Sequence, residues 1–194
     1  MKKMLSVLLA LVFSLGLCCA FAESAVLPAY SYPYAEENPL MAAVVDWMMN
    51  EDLGYEPEEG GVLIPAPIVL KTVLNEDETE ATVYGNFWIF TYTLEGKTLT
   101  TQSCGENPGV LKLEKKDGAW TVTGAEFAED GEGFAESIKK LADGDEQLEK
   151  DYFESSDSML GQYQRAVLVN YVAENMLDIT AYQNYGLNPV DLTN

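Results

Sequence analysis

The pattern of apolar residues predicts an α+β fold, a curved five-stranded antiparallel meander with one helix before it and several after it. Three observations carry this. Between Ile68 and Phe127 the apolar residues repeat every second position, as in strands with two distinct faces. On either side the spacing changes to the three-and-four repeat of helices. The connections between the strand-like runs are short, and short connections join antiparallel neighbours.

The first 22 residues, MKKMLSVLLALVFSLGLCCAFA, are expected to be a signal peptide rather than part of the fold. Lys2 and Lys3 precede an uncharged apolar run, Leu5 to Leu17, and Ala20-Phe21-Ala22 offers a small-x-small cleavage site. The apolar run is short for a membrane span of about 20 residues, so export into the extracellular medium is expected, with no transmembrane segment left after cleavage. Cys18 and Cys19 raise the question of a lipoprotein. Acylated cysteines normally follow a small residue, whereas Leu17 or Cys18 stands there. Cleavage would remove two of the three cysteines, leaving Cys104 without an intramolecular partner.

Residues 23–38 (ESAVLPAYSYPYAEEN) show neither period and are expected to form an extended arm. If it is extended, Tyr30, Tyr32 and Tyr34 share one side, which would make an exposed aromatic contact strip; a strap laid over the core or a loose tether is the expectation. A single α+β domain is expected over 39–194. Asn38 and Pro39 suit the cap and first position of a helix whose buried stripe is Leu40, Val44, Trp47 and Met48. The acidic segment NEDLGYEPEEGG ends it. Strands are expected at IVLKTVL, EATVYGNFWIFTYTL, KTLTTQSC, VLKLEKK and AWTVTGAEF. Turns are expected at NEDE, Glu95-Gly96, GENPG and Asp117-Gly118. Gly85 inside the long second strand predicts a bulge or bend. After Phe127 come a short helix in DGEGFAESIKKLADGD, another in DEQLEKDYFE, and a main helix over MLGQYQRAVLVNYVAENML. Ser158 would cap that main helix, and its nearly all-round apolar surface predicts burial. Thr180 would cap a last turn ending at Gly186.

Composition excludes several functions. With 11 Lys+Arg against 32 Asp+Glu the formal charge is -21, and removing Lys2 and Lys3 with the leader makes it more negative still. No basic face could offset a nucleic-acid phosphate field. The absence of histidine removes Ser-His-Asp and Cys-His sites and every His-ligated metal centre. The best match to a calcium loop, DGDEQLEKDYFE from Asp143, has Leu148 where a glycine must turn the loop and Gln147 in place of a carboxylate. No metal or cofactor is therefore expected. Arg165, the single arginine, could reach an anionic ligand, but pairing with a carboxylate within the fold is the expectation.

The long strand is apolar on both faces, with Val83, Gly85, Phe87 and Ile89 on one and Tyr84, Trp88, Phe90 and Tyr92 on the other. A sheet with one solvated face alternates apolar with polar, so both faces are expected to be covered. The late helices can cover one. The first helix and arm, a second copy of the chain, or a ligand must cover the other.

A helix ahead of a long, bent, aromatic-rich antiparallel meander resembles the cystatin-like and nuclear transport factor 2-like superfold. The stretch VYGNFWIFTYTLEGKTLTTQSCGENPGVLKLEKKDGAWTVTGAEFAEDGEGFAESIKKL also looks like segments of secreted bacterial proteins without an assigned function. The likeness covers roughly residues 40–142 and implies a curved sheet that forms a cone. Enzymes of that superfold use an Asp or Glu base with Tyr, Asp or His donors. Carried over here, the resemblance points to Asp46 as a base and to Tyr84 and Tyr92 as donors. Without it, Asp46 faces water and the tyrosines are core. Trp47, Tyr84, Trp88, Phe90 and Tyr92 are the candidate ligand or interface residues. The resulting expectation is a secreted, acidic, non-enzymatic binding or accessory domain whose partner is an extracellular protein, a small molecule or another copy of the chain. The alternative is a small-molecule carrier or carboxylate-driven isomerase or lyase with a cone pocket, and a protease inhibitor is a third reading. What covers Trp88 separates them.

Overall fold

The structure is a computed structural model that describes residues 26–193. The expected leader and its cleavage site lie outside the described residues. Helix α1 spans Pro39–Asn50. Five strands follow: β1 Val62–Leu74, β2 Glu80–Glu95, β3 Thr98–Gly105, β4 Pro108–Lys116 and β5 Ala119–Phe127. After a short 3-10 turn come α2 Phe134–Ala142, α3 Glu146–Ser158 and α4 Leu160–Glu174, then β6 Ala181–Gln183 and β7 Val190–Asp191. The start of α1 follows from its sequence: the Asn38 Oδ1 accepts from the Met41 amide at 3.1 Å, and Pro39 occupies a position that needs no N–H donor.

The expected curved five-stranded meander is corrected on three counts. The fold is α+β, but the sheet has seven strands, mixes parallel with antiparallel pairing, and is neither closed nor curled. One helix precedes the sheet's strands and three lie between β5 and β6. The strand order is β5-β4-β2-β3-β6-β7, with β1 on β2 off that path.

The departure from a meander originates in β2, which is 16 residues long. β1 pairs antiparallel with β2 along Ala81–Tyr92 and so occupies one whole edge. The opposite edge is shared, β4 taking Glu80–Asn86 and β3 taking Ile89–Glu95. β3 and β4 therefore run in the same direction, end to end along a single edge, and GENPG is an interruption in that line rather than a turn. Pro108 has no N–H to give to the ladder. In the gap, the Asn107 side-chain amide donates to the Phe87 carbonyl at 3.0 Å, and the Phe87 amide donates to the Asn107 carbonyl at 3.1 Å. The ladder thus continues across the break.

The carboxyl-terminal segment is also corrected. Instead of a capped turn ending at Gly186, Ala181–Gln183 runs parallel to Thr98–Thr100 of β3, and Val190–Asp191 pairs antiparallel with β6. Three residues are too few to show a period of two. Their place is set by the helical crossover that brings the chain back beside β3.

The two faces of β2 are covered as the sequence requires. On one, Val44 and Met48 of α1 pack over Val83, Phe87, Ile89, Leu111 and Leu113. The other is divided. Leu168 and Tyr171 of α4, the arm and the carboxyl-terminal strands cover Phe90, Tyr92 and Leu99. Ile138 of α2 with Leu148 and Tyr152 of α3 covers Val110 and Tyr84. Helix α4 is not buried all round: only Gln164, Leu168 and Tyr171 are fully buried, and its other side faces solvent. Met159 separates it from α3.

A bulge does occur at Gly85, in the neighbouring strand. The β1–β2 register slips between Val69 and Lys71, leaving Leu70 as the extra residue opposite Gly85 and Tyr84. A Cβ on Gly85 would lie 2.6 Å from the Ile68 carbonyl oxygen and 3.3 Å from the Val69 Cα. Both are backbone atoms, so the bulge would have to shift. Gly85→Ala is expected to lower stability by about 1–3 kcal/mol, read from urea unfolding. Unchanged stability would show that the close approach is not required.

Candidate functional site

The expected ligand face resolves into core. Trp88, Phe90 and Tyr92, spaced two apart on one side of β2, stack in a row with centroid separations of 5.9 and 6.0 Å and interplanar angles of 15° and 21°. Phe90 and Tyr92 are buried, and Trp88 is partly so. The Tyr92 hydroxyl accepts from Gln164 Nε2 at 2.8 Å. Gln164 and Asn184 exchange side-chain amide bonds at 2.8 and 3.0 Å, and the Thr101 hydroxyl donates to Asn184 Oδ1 at 2.9 Å. This network ties α4 to β2, β3 and the loop after β6. Burial drives the Tyr92 phenol well above its ordinary value, against the smaller opposing effect of the Gln164 hydrogen bond, so it is a poor proton donor.

The other candidates are scattered. Tyr84 is on the same face, beyond Asn86, packed under α2 and α3, with the Lys71 ammonium 6.0 Å from its ring centroid. Trp47 lies on the opposite face and stacks on Phe127 at 6.2 Å. Asp46 is exposed, and its carboxylate accepts from Asn50 Nδ2 at 3.2 Å. Neither it nor Trp47 approaches the aromatic row. Cys104 reaches the surface at the end of β3, yet partial burial pushes its thiol above the ordinary value, opposite to what a nucleophile needs. Arg165 Nε donates to the Asp191 carbonyl at 3.1 Å, holding the carboxyl terminus against α4. In the stretch compared with a calcium loop, Asp145 caps α3 through the Gln147 and Leu148 amides and pairs with Lys71 at 2.9 Å. Among the described residues, no cluster of three or more metal-ligating side chains occurs, and no helix is long and apolar enough to cross a membrane.

Two open clefts lie elsewhere, beside α1 and β1, bordered by the arm and, at one end, by α4. The arm is a strap over the core rather than an exposed contact strip. Leu27 and Tyr30 are buried, the Leu27 amide donates to the Gly60 carbonyl at 3.0 Å, and Tyr171 donates its hydroxyl proton to the Pro28 carbonyl at 2.8 Å. The chain then turns over Pro33–Glu37, so Tyr32 and Tyr34 meet edge to face at 5.9 Å while Tyr30 packs against Tyr171. Tyr30 borders both clefts. On one side is an apolar cleft of about 200 Å³, lined by Tyr32, Tyr34, Met41, Pro65, Pro67 and Tyr163 among others. On the other is a wider cleft of about 550 Å³, floored by Met49 and Val62 and carrying Glu51, Asp52 and Glu56. From Met41 to Met49 along α1 is about 12 Å.

Of these cleft residues the sequence singled out only the arm tyrosines, Tyr30, Tyr32 and Tyr34. A usable signal was present: Pro65 and Pro67 fall two apart immediately before the predicted start of the first strand at Ile68. The strand actually begins at Val62 and includes both, because prolines are tolerated on an edge strand whose outer side needs no donors. Searches against protein-family models, characterised proteins and solved structures find no match to this chain.

Two predictions follow from the aromatic row and the arm. Trp88 Nε1 is buried without a hydrogen-bond partner among the described residues. Trp88→Ala should therefore cost about 3 kcal/mol of packing, whereas Trp88→Phe, which deletes an unpaired donor, should cost far less. Equal losses in urea titrations would contradict this account. Burial pushes Tyr30 and Tyr171 from 10.0 up to about 12. Folded pKa values above the unfolded ones mean that this contribution is whole below pH 10 and is lost as pH rises through 12. Alkaline titration should show tyrosinate absorbance and loss of near-ultraviolet dichroism together in that window. Ionisation of all the tyrosines near pH 10 with the fold intact would refute it.

Proposed function

We propose that the protein is an exported, non-enzymatic binding module. In this reading the groove that the two clefts form beside α1 and β1 takes an extended, basic, proline- or aromatic-bearing segment of an extracellular protein. The observation that carries the reading is the juxtaposition, across Tyr30, of a tyrosine- and proline-lined cleft with a cleft bearing three carboxylates. Tyrosine supplies a large contact area with few rotors to order, and aromatic grooves suit prolines already held in an extended helix. Glu51, Asp52 and Glu56 suit Lys or Arg on the same segment. The surplus of 32 acidic over 11 basic residues would draw such a partner in. Export rests on the charge, core and cleavage pattern of the first 22 residues. The carrier and isomerase alternative depended on a cone, and it loses support from a sheet that is not curled and an aromatic face filled by the chain's own helices.

The test is isothermal titration with two synthetic decaproline peptides, one flanked by lysines and one by glutamates. The lysine-flanked peptide should bind, more weakly as salt is raised, and the glutamate-flanked one should not. Tyr163, 39% exposed, can be truncated without opening the core. Tyr163→Ala is expected to weaken binding about tenfold, equivalent to about 1.4 kcal/mol, without lowering the melting temperature. If neither peptide binds, or Tyr163→Ala binds as tightly as the parent, the groove reading fails.

A further inference from the structure

Among the described residues, three strands of the sheet have a side without a neighbouring strand: β1, β7 and β5. Exposed edges invite pairing with another chain, and proteins usually blunt them with proline, lysine, a bulge, shortness or a covering segment. β1 carries Pro65 and Pro67 and is bordered by the arm. β7 is two residues long. β5 differs from both: it is nine residues long, AWTVTGAEF, without a proline or a lysine. Its one charge, Glu126, is paired with Lys140 of α2 at 2.6 Å, which holds the carboxylate below its ordinary pKa. Among the described residues, no strand other than β4 bonds to it.

We propose that β5 is a pairing edge through which two copies of this chain join their sheets, antiparallel about a two-fold axis, into one continuous sheet. A bulge interrupts an edge, so self-pairing needs the bulge of β5 at the symmetry axis. Its single bulge falls at Thr123, where the register with β4 slips between Lys112 and Leu113. That divides the edge into two runs of equal length, Ala119–Val122 and Gly124–Phe127. With the axis at Thr123, the first run of one copy faces the second run of the other, and the kink coincides in both strands. Such an interface is isologous and closed, so it stops at two copies.

Charge favours a second copy over a basic partner here. β5 and the elements packed around it, Val110–Ala142 with helix α1, hold five lysines and eight acidic residues. The rest of the chain holds the other six basic residues against 24 acidic ones, as the totals of 11 and 32 require. Two copies of so acidic a chain repel each other least when they meet on this side. A cationic segment is drawn instead to the acidic groove, so the two surfaces serve different occupants and can fail independently.

The experiment is sedimentation equilibrium of the mature chain across a concentration series. A monomer–dimer equilibrium is expected, shifting toward dimer as salt screens the net charge. Thr123→Lys sets like charges opposite each other at the axis on an exposed position and should raise the dimer dissociation constant at least tenfold, while Thr123→Val should leave it unchanged. Hydrogen exchange supplies a readout that needs no variant: protection of the Ala119–Phe127 amides should rise with protein concentration. A chain that stays monomeric throughout the series, an open-ended assembly, a dimer indifferent to Thr123→Lys, or β5 amides whose exchange ignores concentration would each overturn the proposal.

Discussion

The backbone ladder of β2 is the constraint on which the rest of the structure depends. Sixteen consecutive extended residues present donors and acceptors on both edges, and burial makes every unpaired one costly. β1 satisfies one edge almost end to end. No other strand is long enough to satisfy the second, so β4 and β3 share it. Asn107 bridges the interval where Pro108 interrupts the ladder. Once β3 and β4 lie in line, their own outer edges lie at different places. β5 takes the outer edge of β4, and the outer edge of β3 is left for a strand from elsewhere in the chain. β6 fills it, and because it arrives after three helices it can run parallel.

Both faces of β2 are apolar, which forces two further layers, and these divide the labour unequally. Helix α1 and the loop after it, through Leu53 and Tyr55, serve one face. The other is tiled by three helices, the arm and the carboxyl terminus. The tiles are pinned by polar contacts placed where apolar packing alone would let them slide. Gln164 and Asn184 hold α4 to Tyr92, and Arg165 holds the last strand. Asn86 Nδ2 reaches Ser155 Oγ of α3 at 2.6 Å. Buried polar contacts of this kind add modestly to stability and strongly to the choice of one arrangement over its neighbours, even though Asn86 Oδ1 itself finds no partner among the described residues.

This division also decides where the surface is open. With the aromatic row consumed by the core, the clefts that combine tyrosines, prolines and carboxylates fall beside β1, where Tyr30 anchors the strap. The prolines that protect that edge from pairing are the ones that line the apolar cleft. One pair of residues thus keeps the sheet from extending on this side and shapes a binding surface there.

Local chemistry was legible in the residues wherever a property depends on near neighbours. Asn38-Pro39 announced the start of α1, the period of two announced β2 through β5, and Asp117-Gly118 announced the β4–β5 hairpin. The doubly apolar β2 correctly required cover on both faces. Beyond that, the local signal ran out. GENPG has the composition of a turn, and only the length of β2 makes it a break in a straight line. Ala181–Gln183 is too short to carry a period, and only the helical crossover places it beside β3. Trp88, Phe90 and Tyr92 look alike as core, interface or pocket until the helices that cover them are in place. Residue order determined which segments would be strand or helix and which sides had to be buried, because those follow from spacing along the chain. Tertiary structure alone decided which edges pair, whether the sheet closes and where the groove opens, because those depend on segments far apart in sequence competing for the same hydrogen bonds and the same apolar surface.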